Sequence, residues 1–238
     1  MRMVTVAAVA ALVSLVGLAA SVQTPVAAGG QQASERTAGI YAVSYLEVKR
    51  SAEHAAIEAL RAYREASRKE TGWIATELLG QVGRPGHFVM IESWADPDTL
   101  EAHDRSTGAG LLERTLAPIR SSEYDRRPYK PLTITAPSGQ ATNETVVVVS
   151  HVDTLPSPQS DAAGLLRSLA EQSRLDAGNL LFNVVQHARP NHFTVIEMWR
   201  DRGAQQAHAE APHVREYRDK LKAILGSPLD ERLFTVVR

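Results

Sequence analysis

The chain has 238 residues, of which 44% are hydrophobic, enough to form the core of one large domain or two small ones. Its 26 Lys and Arg residues nearly balance 27 Asp and Glu residues, and the net charge of -1 argues against a nucleic-acid-binding protein. The chain contains no cysteine, which excludes disulfides, thiolate catalysis and cysteine-ligated zinc.

The N-terminal residues are typical of an export signal. One early arginine precedes an Ala/Val/Leu run over residues 4–22, and Val26-Ala27-Ala28 resembles a cleavage site. We therefore predict a bacterial signal peptide over residues 1–28, a periplasmic or secreted protein, and no membrane association after cleavage. The alternative is an uncleaved anchor, since about 19 apolar residues can just span a bilayer. Residues 29–36 form a polar spacer.

An eleven-residue phrase occurs twice, as RPGHFVMIESW at residues 84–94 and RPNHFTVIEMW at residues 189–199. Residues 84–103 and 189–208 match at ten of twenty positions, where unrelated segments would match at about one. Upstream, the similarity continues at an offset of 106. We predict a first repeat over residues 37–130, a linker over 131–142 and a second repeat over 143–238.

Each repeat begins with a strand and a helix. Residues 39–48 and 144–153 are rich in β-branched and aromatic side chains, which favours strands. Apolar residues at helical spacing then predict an amphipathic helix in each copy, and Gly72 and Gly178 are expected to cap its C-terminal end.

A hairpin and a second helical stretch follow. Gly86 and Asn191 suit the positive φ of a tight turn. The repeated phrase forms the next strand, which carries apolar side chains on both faces. Asp96 and Asp201 are placed to cap single helical stretches near residues 97–118 and 202–225, and short closing strands end each copy.

The order β-α-β-β-α-β is that of a ferredoxin-like unit. Such a unit covers one sheet face with helices and leaves the other apolar face open to water. Two copies in one chain can bury these faces against each other. The sequence therefore predicts an α+β protein in which two ferredoxin-like repeats pack sheet to sheet as a pseudo-dimeric barrel.

The segments FVMIESWADPDTLEAH and FTVIEMWRDRGAQQAH resemble the signature of antibiotic biosynthesis monooxygenase (ABM) domains, in which Glu-x-aromatic on an apolar strand precedes a helix with Ala-His. The resemblance implies the dimeric α+β barrel fold. It also implies either oxygenation of a quinol or polycyclic phenol without a cofactor or, as in some members, haem degradation.

Oxygenation without flavin or metal requires a substrate that becomes electron-rich on losing a proton, so the protein needs an apolar pocket and a base. The candidate catalytic residues are His208, Glu197, His213, His103 and Glu92. The candidates to contact a flat aromatic substrate are Trp199, Trp94, Phe193 and Tyr41. The second repeat is favoured, because Gly108 replaces His213 in the first. For each His, Glu and Trp, a structural role in pairing or core packing stays open.

We expect no metal site, because His208 and His213 are five residues apart with Pro212 between them and no HExxH motif occurs. We also expect no cofactor. Haem binding is disfavoured, since Glu113 and Arg218 stand where haem-degrading relatives place the iron-ligating histidine. The leading function is an exported monooxygenase for a small aromatic substrate, and the alternative is a non-catalytic protein that binds a small ligand or a partner chain. A homodimer of the two-repeat chain is a further expectation.

Overall fold

The computed structural model describes residues 38–156 and 161–238, so the predicted signal peptide and polar spacer lie outside the described residues. The first repeat contains β1 (Ile40–Glu47), α1 (Glu53–Ser67), β2 (Trp73–Gln81), β3 (His87–Trp94), α2 (Pro97–Asp104), α3 (Thr107–Leu116) and β4 (Asp125–Thr133). The second repeat contains β5 (Val146–Asp153), α4 (Ala162–Ser173), β6 (Asn179–His187), β7 (His192–Trp199), α5 (Arg202–Ala209), α6 (Pro212–Lys222) and β8 (Asp230–Val236).

The turn and cap that flank each copy of the repeated strand are confirmed. Gly86 and Asn191 have φ angles of 80° and 69°, the left-handed conformation that the hairpin requires. The side chains of Asp96 and Asp201 each accept a hydrogen bond of 2.8 Å from the backbone three residues on, which satisfies a free N–H of the helix. The repeated phrase therefore specifies the same strand direction twice.

Two local predictions were wrong. The second helical stretch of each repeat is two helices, because Ser106 caps a new helix in the first copy and Pro212, which has no N–H to donate, begins one in the second. The glycines predicted as helix caps lie later in the chain: α1 ends at Ser67 and α4 at Ser173. Gly72 and Gly178, with positive φ angles, lie in the turns that lead into β2 and β6.

The eight strands form one closed barrel in the order β1-β3-β2-β8-β5-β7-β6-β4. Within each repeat the central strand pairs are antiparallel, as the ferredoxin-like order requires. β4 also pairs with β6, and β8 with β2, so the two sheets join at both edges. The predicted pseudo-dimeric barrel is confirmed. Because β4 runs to Thr133, the start of the predicted linker belongs to the barrel wall.

The two faces of the repeated strand bury different cores. In β3, Phe88 and Met90 pack toward α1 and α3, whereas Val89 and Ile91 fill the barrel interior. β7 repeats this alternation, as strand geometry dictates. In both copies of the repeated strand every residue after the first is therefore buried. None of the helices in the described ranges is long and apolar enough to cross a membrane.

Candidate active site

The structure gathers the predicted site residues into two equivalent places, one in each repeat, between the sheet and its helices. In the second repeat β7 presents Glu197 and Trp199 toward His208 on α5, and His213 approaches from α6. In the first repeat the corresponding set is Glu92, Trp94 and His103.

Phe193 is buried in the same helix-facing core as Trp199. Tyr41 instead faces the barrel interior.

Each tryptophan supports a histidine. Trp199 stacks on His208 with ring centroids 4.3 Å apart and planes inclined by 27°. Trp94 and His103 make the same contact at 4.3 Å and 31°. Both indole rings have no exposed surface, so their contacts favour the packing role over contact with a substrate.

A carboxylate holds each of these imidazoles from the other side. Nδ1 of His103 lies 2.7 Å from Glu70, and Nδ1 of His208 lies 2.7 Å from Asp176. A carboxylate at Nδ1 fixes the tautomer with its proton there and leaves Nε2 as the acceptor in a neutral ring. Sequence reasoning missed both carboxylates. The available signal was an acidic residue at the same place in both copies, 106 residues apart.

In the first repeat Nε2 of His103 has two polar neighbours. It contacts the Tyr63 hydroxyl and lies 3.2 Å from the buried Glu92, which also binds the guanidinium of Arg126. Burial favours a neutral Glu92, but hydrogen bonds from His103 and Arg126 outweigh it and hold the pKa of Glu92 below its ordinary value. Burial likewise opposes charge on His103, yet Glu92 and Glu70 raise its pKa. The first site is thus a closed network of paired charges.

The second repeat has lost the residues that close this network. Leu169 replaces Tyr63, and Glu231 replaces Arg126 opposite an equivalent serine in the neighbouring strand. Glu197 accepts a hydrogen bond of 2.8 Å from the indole of Trp199. Its carboxylate lies 3.7 Å from Nε2 of His208, too far for a hydrogen bond.

The missing partners reverse the protonation states. Burial raises the pKa of Glu197 to about 8, with Glu231 adding to the effect and the Trp199 bond opposing it. Burial also lowers the pKa of His208, although Asp176 opposes this shift. Near pH 7 the second site therefore holds a protonated carboxyl beside a neutral imidazole.

A small cavity, called here the dyad pocket, lies beside His208 and Glu197 and has a volume of about 30 Å³. Its lining includes Ser150 and Tyr217, whose buried hydroxyls have no hydrogen-bond partner within the described residues. Such a volume holds about one or two water-sized molecules. Sequence reasoning missed both hydroxyls. The first repeat has Leu112 in place of Tyr217.

Asp176, His208 and His213 bring three metal-ligand atoms within 4.8 Å of one another. The spacing argument against a metal site assumed one helix, whereas the two histidines lie on α5 and α6. A hydrogen bond of 2.7 Å between His208 and Asp176 and a 3.3 Å contact between His213 and Asp176 account for the arrangement. The first repeat keeps its carboxylate–histidine bond with no second histidine, so we assign no metal centre here.

The barrel of two ferredoxin-like repeats, with a buried Glu, Trp and His in each, defines a two-repeat protein of the dimeric α+β barrel class. The sequence profile described as antibiotic biosynthesis monooxygenase matches residues 39–110 and 145–220. The chain belongs to this family.

Individual relatives agree with this assignment. One relative is YcnE of Bacillus subtilis (strain 168), which carries the provisional name of a monooxygenase. It is 27% identical over 86 residues, which cover 36% of this chain and 90% of YcnE. A Fusobacterium nucleatum protein with the same provisional description has a TM-score of 0.76 at 16% identity and covers 85% of this chain and 94% of its own. A structure described as an anthrone oxidase-like protein gives a TM-score of 0.66 at 13% identity, covering 87% and 93%. At these identities the two structures support the fold.

Proposed function

We propose that this protein is an exported, cofactor-independent monooxygenase that acts on a quinol or polycyclic phenol, and that its second repeat is the catalytic half. One observation carries the proposal. Nε2 of His208 has no hydrogen-bond partner in the described part of the chain, and it faces a carboxyl whose pKa is raised to about 8. An imidazole base and a protonated acid at one site are what proton transfer to and from a bound phenol requires.

The reaction divides among three residues. Nε2 of His208 takes the phenolic proton, while Asp176 at Nδ1 holds the ring and stabilises the imidazolium that forms. The resulting phenolate supplies the electrons that reduce O₂, and the adduct is a peroxide at a ring carbon. The Glu197 carboxyl donates a proton to the distal oxygen as the O–O bond breaks, and the ring carbon loses its C–H proton to solvent and becomes a carbonyl. For a hydroquinone the products are a hydroxyquinone and one water, so the substrate supplies all four electrons.

The size of the dyad pocket sets a requirement on this mechanism. A volume of about 30 Å³ is smaller than a phenolic ring. Substrate entry therefore requires α5 and α6 to move outward from the sheet. The pocket lining includes Gln205, Ala209 and Arg218, all on these two helices.

Oxygen uptake by the purified protein with hydroquinones and anthrones tests the proposal. His208→Ala is expected to lower kcat/KM by about 10²- to 10⁴-fold, the usual contribution of a general base. Asp176→Asn should lower it less, and the matched first-repeat change Glu70→Gln should leave it near wild type if both variants fold. Activity should survive incubation with a chelator. No uptake above that of His208→Ala would overturn the proposal.

The pH dependence provides an independent check. The base must be neutral, and burial lowers the pKa of His208. Its imidazole therefore stays neutral at a lower pH than an ordinary histidine does, and activity should already be high there. The acid must be protonated, so activity should fall above about pH 8 as Glu197 ionises. Glu197→Gln should reduce kcat and remove this alkaline limb. A rate that keeps rising through pH 9 in the wild type would contradict the role of Glu197.

A non-catalytic ligand-binding protein is the second candidate, favoured by the small volume of the dyad pocket and by the closed network in the first repeat. Binding of the same phenols without oxygen uptake would select it. A haem macrocycle is much larger than this pocket, and the absence of a Soret shift on haem titration is the expected result.

Export is part of the proposal and is supported by the pattern of residues 1–28. Expression in a bacterial host, followed by fractionation and N-terminal sequencing, tests it. A mature chain that begins at Gly29 in the periplasm or medium is expected, and a full-length chain in the membrane fraction would show a retained anchor. The homodimer of the two-repeat chain stays a prediction, which sedimentation velocity can test.

A further inference from the structure

The barrel interior contains a second and larger cavity, called here the barrel chamber, with a volume of about 420 Å³. This volume lies within the range of small-molecule binding sites. β7 points Ile196 and Met198 into the barrel chamber and Glu197 into the dyad pocket. The two cavities are therefore separated by the thickness of the sheet.

Side-chain size explains why the barrel chamber is open. An eight-stranded barrel is just wide enough for its inward side chains to fill it. In the first repeat Ala75 and Ser93 are neighbours across β2 and β3, and both line the chamber. The equivalent neighbours in the second repeat are the larger Leu181 and Met198. The missing volume thus lies on the side of the first repeat.

The two walls of the barrel chamber also differ in polarity. Tyr41, Glu77 and Ser93 line it from the first repeat, and their side chains make no hydrogen bond or ion pair within the described residues. The positions equivalent to Tyr41 and Ser93 in the second repeat are Val147 and Met198, which are apolar. A ligand would therefore meet free polar groups on one wall and an apolar surface on the other.

The linker between the repeats forms a further part of the wall. Residues 134–137 line the barrel chamber. Asn183, the counterpart of Glu77, binds this segment in both directions, since its amide oxygen accepts from the Thr135 N–H at 2.8 Å and its amide nitrogen donates to the Thr135 carbonyl at 3.3 Å. The Asn183 side chain is therefore occupied by the linker. Its counterpart Glu77 has no such partner within the described residues and is available to a ligand.

The opposite end of the barrel is filled by polar and aromatic side chains. Tyr45 and His151, equivalent residues of the two repeats, lie with ring centroids 5.2 Å apart, and Arg127 stacks over Tyr45 at 5.7 Å. Arg127 is in turn paired with Asp125. The open space is thus confined to one end of the barrel.

We propose that the barrel chamber is a binding site for a neutral, ring-containing small molecule with a hydroxyl or amine donor, whose ring packs on the second-repeat wall and whose donor binds Glu77 and Tyr41. A neutral ligand fits because burial of an unpaired charge is costly. Burial raises the pKa of Glu77, with Arg64 opposing the shift, so this carboxyl is itself neutral over a wider pH range. This site does not depend on the proposed oxygenase activity.

Fluorescence titration of the full chain with N-phenyl-1-naphthylamine, a neutral diarylamine, tests the proposal. We expect saturable binding of one probe per chain with a dissociation constant of about 100 μM or tighter. Ala75→Phe fills the barrel chamber and should weaken binding at least tenfold. Ala209→Phe fills the dyad pocket on the other side of the sheet and should leave the affinity within about twofold.

Three further variants keep the test decisive. Ser93→Leu fills the same space from the neighbouring strand and replaces Ala75→Phe if that variant lacks a cooperative thermal transition. Glu77→Gln keeps an acceptor for the amine and should bind more tightly than Glu77→Leu. The proposal is overturned if the wild type shows no saturable binding, if both filling variants bind as the wild type does, or if Ala209→Phe alone abolishes binding.

Discussion

The two histidine sites of this protein have the same Glu, Trp and His on equivalent elements, yet the first is ionised and the second is neutral. In the first repeat Arg126 and Tyr63 complete an ionic network around Glu92 and His103. In the second, Glu231 and Leu169 stand in their places, and Glu197 is left protonated. The comparison shows that the shared Glu, Trp and His give both sites the same arrangement. The residues around them decide how the Glu and His are protonated.

The largest expected effect is on the stability of the first site. Glu92→Gln would remove the buried carboxylate of the network and leave Arg126 paired only with the exposed Asp104. Breaking a buried pair costs about 3–5 kcal/mol. The free energy of unfolding from urea titration at pH 7 measures this loss. Because the pKa of Glu92 is held below its ordinary value, its stabilisation is present above the unfolded pKa and is lost as pH falls through the folded pKa. An unchanged stability would show that the network contributes nothing.

The matched substitution in the second site is expected to have the opposite sign. The folded pKa of Glu197, about 8, lies above its unfolded value. The wild type therefore loses stability as pH rises from about 4.3 to 8, since the unfolded chain ionises first. Glu197→Gln should be more stable than wild type by on the order of 4 kcal/mol at pH 7.5 and nearly equal to it at pH 4. A destabilised Gln variant at pH 7.5 would refute the raised pKa.

A single substitution should convert the second site toward the first. Glu231→Arg places a guanidinium where Arg126 lies in the other repeat, and the pKa of Glu197 should fall by about 2 units or more. A carbon-13 NMR titration of the Glu197 carboxyl measures this shift, with Glu231→Gln as the control for loss of the acidic neighbour. A carboxyl that still titrates near pH 8 would mean that burial alone sets its protonation.

The smallest effect concerns the two hairpin turns. A Cβ on Gly86 would lie 2.6 Å from the carbonyl oxygen of Val48, and the residue has a positive φ. Gly86→Ala should therefore destabilise by about 1–2 kcal/mol. Asn191 already carries a Cβ at this place, so Asn191→Ala should cost about half as much or less. Thermal and urea unfolding of both variants gives the ranking, and equal losses would contradict it.

The fold could be predicted from the sequence because each local signal for a strand, turn or cap occurs in both repeats. Alternation in the repeated strand, the turn at Gly86 and Asn191, and the two aspartate caps are local signals, and each occurs twice. The division of each second helical stretch was missed, since the junction sequences of the two copies differ and only one contains proline.

The site was less accessible to sequence reasoning. Glu70 and Asp176 lie 33 and 32 residues from the histidines they hold, and such contacts depend on how the helices pack. The difference between the sites depends on Arg126 and Glu231, which come from closing strands that pair with β1 and β5. Their equivalence is clear only once the strands are aligned. The barrel chamber arises from pairs of small residues on different strands, which no linear pattern reveals.

Closure of the barrel within one polypeptide has an evolutionary consequence. In an assembly of identical subunits, every substitution appears in all copies at once, so a change that opens one site also removes the salt bridges that stabilise its twin. Joining β4 to β6 and β8 to β2 in a single chain ends this constraint. One half can keep the rigid ionic framework while the other acquires acid–base chemistry, and the molecule specialises without a second gene.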